Sequence, residues 1–316
     1  MQVPPVLLGV VACVGLFILG VIASPALKRR AKRRYAERER KLEGGVPAPW
    51  TPETELQPGT VRLREWMKDL AEPTYLLAGS ETRGFTKLGG VPDLPAGMAW
   101  PRTESGPRQF LLQVDLAELP REGAENWLPT EGKLFAFLNP IGRHAVDLVT
   151  VIHTSEAPSS GIETPEGVIE SLEWANLMRF RSAPSLDWLW EGALKLYQDE
   201  TIDPREEAAG VTSMSFAGMT HRVGGFPDEI QGQCLRLTCE QRLRHPEIEC
   251  GDWGLGEPYP EEANEASMDW RLLFQIDSDG DLDWNWGDGG MIYVLIRRED
   301  AKRGDFSKTV TEYQFY

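Results

Sequence analysis

The sequence predicts a mainly β (α+β) domain that is internally duplicated and carries peripheral helices, preceded by one N-terminal transmembrane helix. Three observations lead there. Residues 6–27, VLLGVVACVGLFILGVIASPAL, hold no charged side chain over 22 positions. Further on, short runs such as RQFLLQVDL, KLFAFLN, AVDLVTVIH, MRFRS, WRLLFQID, MIYVLIRR and TVTEYQFY are separated by Gly, Pro and Asp, the pattern of strands joined by turns. Several of these runs, with the turns that introduce them, recur in the same order.

The N-terminal element follows from length and flanking charge. At about 1.5 Å of rise per residue the stretch reaches ~33 Å, enough to cross a hydrocarbon core. MQVPPV, without a cation, precedes it, and Lys28, Arg29, Arg30, Lys32, Arg33 and Arg34 follow, the reverse of a cleaved signal peptide. Cations on that side place the C-terminal part in the cytoplasm. Residues 1–41 therefore read as a transmembrane anchor with a basic juxtamembrane stretch beside anionic lipid headgroups. Residues 42–60 mix Pro, Gly and acids without periodicity and read as a linker. The globular part is 61–316.

Its charge narrows the function classes. Of 33 Lys/Arg and 49 Asp/Glu, residues 1–41 hold nine and two, which leaves 24 against 47, a net of about −23. Such a body repels phosphate backbones, so nucleic acid is not an expected partner. Metal ions or basic partners suit it better, and acidity also serves plain solubility. Cys13 lies in the span, and Cys234, Cys239 and Cys250 are an odd set in a reducing compartment. With His245 they are spaced too widely for a zinc knuckle. In CLRLTCE, Leu235, Leu237 and Cys239 alternate with Arg236, Thr238 and Glu240, which predicts a half-buried strand. VRLREWMKDL (61–70) and SLDWLWEGALKLYQDE (185–200) have helical spacing.

The self-similarity is specific. TKLGGVPD (86–93) matches HRVGGFPD (221–228), FLLQVDL (110–116) matches LLFQIDS (272–278) after a shift of register, and GKLFAFL (132–138) matches GMIYVLI (290–296). The equivalent residues lie 135 apart at the first element and 162 apart at the second, so the second copy carries an insertion of about 27 residues between them. The two copies span about 84–155 and 219–316. In each, Gly89-Gly90 or Gly224-Gly225 frees the backbone for positive φ, and Pro92 or Pro227 then fixes the exit direction. Asp93 and Asp228 can cap the turn, and Gln113 and Gln275 either point away from the core-facing residues beside them or hydrogen-bond an adjacent edge. The Gly-Gly turns lack the spacing of a phosphate cradle.

With these residues in view, TKLGGVPDLPAGMAWP, FLLQVDLAELP, LPTEGKLFAFL, HRVGGFPDEIQG, DWRLLFQIDSD and WNWGDGGMIYVLIRREDAKRGDF resemble the YwqG-like family of bacterial domains of unknown function, from about residue 70 to the C-terminus. The pairing of Q-[VI]-D with the W-G-D-G-G of Trp286 and Gly287 carries the resemblance. It implies an antiparallel β roll, or barrel-like fold, of two related halves with helices outside, and it implies no established activity. The expected location becomes the bacterial inner (cytoplasmic) membrane. Two departures from the family are the membrane span and the fuller D-S-D-G-D-L-D.

That aspartate stretch, FQIDSDGDLDWNWGDGG (274–290), has three readings. Asp277, Asp279, Asp281, Asp283, Asn285 and Asp288 occupy positions 1, 3, 5, 7, 9 and 12 of a calcium loop, which makes Ca2+ the candidate cofactor. The frame departs from that loop at Leu282, where the turn wants glycine, and at Asp288, where a longer Glu is usual. The second reading is a solvated hairpin whose Trp284 and Trp286 return to the core, with Gly287, Gly289 and Gly290 permitting the bend. The third is a pair of catalytic carboxylates. No G-x-S-x-G occurs, and His144, His153, His221 and His245 lack a triad signature. The expectation is a membrane-anchored, non-catalytic binding or interaction module for a protein or small ligand at the cytoplasmic face, with the cleft between the copies as ligand site. The alternative is a divalent-cation-dependent enzyme or a calcium-stabilised scaffold using 277–288.

Overall fold

The computed structural model describes residues 71–315 apart from 121–126, 143, 160, 183–187, 189–220, 232–233, 250–260 and 288. The predicted membrane span, juxtamembrane stretch, linker and 61–70 helix lie outside them, as does nearly all of the 185–200 helix. Among the described residues no helix is long and apolar enough to cross a membrane.

The described chain is mainly β. Its strands are β1 (Glu72–Ser80), β2 (Lys87–Gly89), β3 (Arg102–Thr103), β4 (Gly106–Pro107), β5 (Gln109–Asp115), β6 (Lys133–Leu138), β7 (Val149–Thr154), β8 (Leu172–Ser182), β9 (Arg222–Gly224), β10 (Trp270–Asp277), β11 (Met291–Arg297) and β12 (Val310–Gln314). Three helices accompany them, α1 (Leu235–Arg244), α2 (Glu261–Ser267) and α3 (Arg298–Lys302). Ten strands form one antiparallel sheet in the order β12-β11-β10-β9-β1-β8-β2-β5-β6-β7, and β3 and β4 form a small ribbon. The sheet curls nearly closed. Thr311 of one edge strand donates its N–H to the carbonyl of Ala145, just before the other edge strand, at 2.8 Å, and His153 of β7 packs on Phe306 with ring centroids 4.9 Å apart.

The strand order reads alike from both edges. A two-fold operation that exchanges β1 with β8 at the Ala78–Asn176 pair carries Lys87↔Gln113 onto Arg222↔Gln275 and Gln113↔Phe135 onto Gln275↔Tyr293. It also superposes two breaks in the ladder, between Phe110 and Leu112 and between Leu272 and Phe274. The first strand of each half is exchanged: β1, from the first half, pairs with β9, and β8, from the second, pairs with β2. These central strands were not among the recurring elements of the sequence.

Both faces of β5, β6, β10 and β11 are buried, which is why they read as nearly continuous apolar runs. In β6, Leu134, Ala136 and Leu138 enter the main core, while Phe135 and Phe137 join Trp100, Phe110 and Leu94 in a second cluster. The main core runs through both halves, from Leu88 and Leu112 to Trp270 and Ile292.

One local expectation is corrected. CLRLTCE is not a strand: Leu235–Arg244 is helical. Its alternating polar residues do not face water, because Arg236, Thr238, Glu240 and Arg242 are all buried. Arg242 meets Glu312 at 3.0 Å, and Glu240 accepts from Trp270, Arg297 and Arg244. A period-two pattern in a short, wholly buried segment does not separate strand from helix. The good helix formers Leu, Arg, Glu and Gln, with Glu240 and Arg244 paired one turn apart, then prevail.

Candidate functional site

Two polar assemblies sit where the halves meet. The first is built twice, once around each Gly-Gly turn. Gly89 and Gly90 have φ of 65° and 71°, Gly224 and Gly225 of 68° and 72°, a left-handed pair that residues with Cβ avoid. The turns also press on the central strands. A Cβ on Gly89 would stand 2.1 Å from the Ser171 carbonyl oxygen, and one on Gly225 would stand 1.8 Å from Thr74 Oγ1. Thr74 and Ser182, from the two exchanged strands, share a buried hydroxyl hydrogen bond of 2.5 Å directly beneath Gly225.

After Pro92 and Pro227 the chain delivers an aspartate onto a glutamine of the next strand. The Asp93 and Asp228 N–H groups donate to Gln113 and Gln275 Oε1, each at 2.8 Å. Gln113 Nε2 donates to Asp93 Oδ2 at 2.7 Å and to the Phe85 carbonyl at 2.7 Å. Gln275 Nε2 reaches Asp228 Oδ2 at 3.5 Å. A buried cation completes each cluster. Lys87 Nζ lies 2.8 Å from Asp93 Oδ2, and the fully buried Arg222 donates to Asp228 Oδ2 and to the Phe226 carbonyl. Tyr293 Oη donates to the Asp228 carbonyl at 2.6 Å, and burial, reinforced by the charges of Asp228 and Glu229, pushes its phenol well above the usual range. These groups are paired with one another and brace the frame.

The second assembly is the aspartate loop. Ser278 N–H and Oγ donate to the Gly290 carbonyl, Trp286 N–H donates to Ser278 Oγ, and Trp286 Nε1 donates to the Asp277 carbonyl at 2.8 Å. Asp279 and Trp284 exchange two backbone hydrogen bonds, which closes the tip. Leu282, Trp284 and Trp286 are buried, and Leu282 packs over the Gly89 turn of the other half. Gly287 and Gly289 have positive φ, and Asp283 does too, a conformation Asp tolerates better than most residues.

The four predicted metal carboxylates among the described residues do not converge on one point. Asp277 is buried, and its Oδ1 accepts from Ser278 N–H. Asp279 is buried; its Oδ1 accepts from the N–H groups of Asp281 and Leu282, and its Oδ2 lies 3.2 Å from His221 Nε2. Asp281 and Asp283 are exposed, and Asp288 lies outside the described residues. Among the described residues no three His, Cys, Asp or Glu side chains are grouped to hold a metal ion.

His221 latches this loop. Asp277 N–H donates to its Nδ1 at 3.2 Å, so Nδ1 accepts and Nε2 carries the proton donated to Asp279. Both ring nitrogens are occupied, and Trp284 stands edge-on to the ring at 5.8 Å. Thr86 holds the matching place in the first half, accepting from Asp115 N–H and donating to Glu118. Around this latch two carboxyls are driven apart. Burial pushes Glu173 of β8 up, helped by the charges of Asp279 and Asp281. Burial would raise Asp279 too, but the hydrogen bonds from His221 and the two loop amides outweigh it and hold it below the usual range.

A test of this field follows. Glu173 is raised in the folded state, so its favourable contribution is complete below its unfolded pKa and is lost as pH rises through the folded value. Glu173→Gln should therefore raise stability at pH 7, by at most about 1 kcal/mol because solvent screens a half-buried group, and Tm with it. The gain should vanish on acidification below about pH 4. A difference unchanged between pH 7 and pH 3 in thermal melts would refute the assignment.

Sequence reading missed Glu173, because ESLEWANLMRFRS contains no motif and only the exchange of β8 brings that residue to the loop. It also passed over Lys87 and Arg222, although a cation two residues before each Gly-Gly pair was there to be aligned. A family model described as a domain of unknown function (DUF1963) matches residues 86–314. No curated protein matches the chain.

Proposed function

Because the chain belongs to the family described as a domain of unknown function, DUF1963, we propose that it is a YwqG-like binding module, non-catalytic, formed by duplication and held at the cytoplasmic face of the bacterial inner membrane by a single N-terminal span. One observation carries the binding reading: Asp277, Asp279 and His221 are engaged with one another and with the loop's backbone, while Asp281, near the half-buried Glu173, and Asp283 stand exposed. Groups occupied in this way favour recognition over proton transfer. An acidic face on an acidic body suits a partner that carries positive charge, a protein segment or a small ligand, and not nucleic acid. The uncharged stretch at 6–27 and the cations after it support the anchor and its orientation. A calcium-stabilised scaffold or cation-dependent enzyme would need Asp279 to leave His221 and two amides.

The full chain, tagged at its C-terminus and recovered from solubilised membranes, tests this. It should fractionate with membranes, report a cytoplasmic C-terminus, and retain a partner that the Asp281→Asn/Asp283→Asn variant loses by about tenfold. Asn suits the left-handed conformation of residue 283, so the fold is kept. Chelator should leave Tm unchanged. An external C-terminus, undiminished capture by the variant, or a Tm that falls with chelator would overturn the proposal.

A further inference from the structure

In an acidic body one cavity gathers three cations on its wall, matched there by three carboxylates. It has a volume of about 390 Å3 and opens between the end of α1, the start of β10, the end of β11 and α3, with Trp270, Arg297, Asp300, Arg303 and Lys308 on its walls and Leu243 at its rim. Two carboxylates here are each divided between two cations. Glu240, buried behind the wall, accepts from Arg297 Nη2 at 2.6 Å and from Arg244 Nε at 2.8 Å, as well as from Trp270 Nε1 at 2.9 Å. Burial alone would raise its pKa, but these three donors outweigh it and keep the carboxyl below its ordinary range. Asp300 Oδ1 takes Arg303 and, at 3.5 Å, Lys308, which also lies 3.3 Å from Asp305. The other two acids on the wall, Asp269 and Glu299, are matched by Arg298 and Lys302. Counted with these ion-pair partners, six cations stand against five carboxylates, a net of one positive charge.

The arginine that faces the cavity is also held in place. Arg297 lies over the Trp270 ring at 5.5 Å, donates one hydrogen bond to Glu240, and has an Nε with no acceptor. A guanidinium fixed by an aromatic face and a carboxylate loses little freedom when an anion arrives. The volume suits a small metabolite.

We propose that this cavity binds a small oxyanion, a phosphate or carboxylate group, through Arg297, Arg303 and Lys308. It is independent of the aspartate loop. The test titrates inorganic phosphate and malonate separately into the full-length protein in detergent, at constant ionic strength made up with chloride, by calorimetry. Saturable binding of at least one, with a Kd of about 1 mM or tighter, is expected. Arg303→Gln and Lys308→Gln, made singly, should each weaken it about fivefold. Their side chains are 61% and 56% exposed, and each variant leaves the other cation on Asp300, so folding is kept. Arg83→Gln, on the exposed face of Trp174, should leave the affinity unchanged. Preference for phosphate assigns a phosphorylated ligand and preference for malonate a carboxylate one, and either supports the site. No saturable binding below about 10 mM, or affinity undiminished in both cavity variants, overturns it.

Discussion

Asp228→Ala is expected to lower stability by about 3–5 kcal/mol, the range for removing one partner of a buried ion pair, or about 6–20 °C in Tm for a domain of this size. Arg222 has no exposed surface and directs its guanidinium at the Asp228 carboxylate. The substitution strips the carboxylate from a cation that cannot turn to water, and it removes an acceptor of Gln275 Nε2 as well. Asp93→Ala should act in the same direction but less strongly, since Lys87 is a flexible cation that can extend its ammonium toward solvent. The second substitution separates this account from simple loss of packing. Arg222→Met added to Asp228→Ala removes the stranded charge, so the double variant should be markedly less destabilised than the sum of the two single variants. Chemical denaturation of all four proteins gives the coupling energy. Additive effects, or an Asp228→Ala variant within about 1 kcal/mol of the parent, would show that the pair does not brace the turn.

The frame was legible in the sequence where a backbone demand admits few residues. Paired glycines at positive φ, a proline that sets the exit, and a buried amide that both donates and accepts all leave the same letters at both places, so Gly89, Gly224, Gln113 and Gln275 could be aligned before any coordinates. The strands β5, β6, β10 and β11 were legible because long apolar runs of β-branched and aromatic residues bounded by turns have few other solutions. The burial of Trp284 and Trp286 was foreseeable for the same reason.

What was not legible depends on contacts remote in sequence. EPTYLLAGS and LEWANLMRFRS share no letters that mark them as equivalent, yet they lie at the centre of the sheet, and only the pairing register shows that each belongs beside the other half. Glu173 gains its environment from that exchange. CLRLTCE misled because charged residues paired in the interior imitate a solvent face. The aspartate loop matched a calcium pattern in spacing alone: spacing does not reveal that Asp279 will be taken by His221, fifty-eight positions away.

The exchange of first strands leads to the largest expected effect. β1 joins the second half and β8 the first, and both contribute to the Thr74–Ser182 clamp under the Gly225 turn. A chain starting at residue 61 can be cut at Gly161, in the connection between β7 and β8, where a Cβ would meet nothing within 4 Å. Each fragment alone would lack the strand that covers its own β2 or β9, and an uncovered edge over an open core is not stable. The decisive measurement is the thermal melt of the two fragments, separately and mixed, followed by near-ultraviolet circular dichroism. The account predicts no cooperative transition for either fragment alone and one shared transition for the equimolar mixture. A fragment that melts cooperatively by itself, at the temperature of the intact chain, would contradict it.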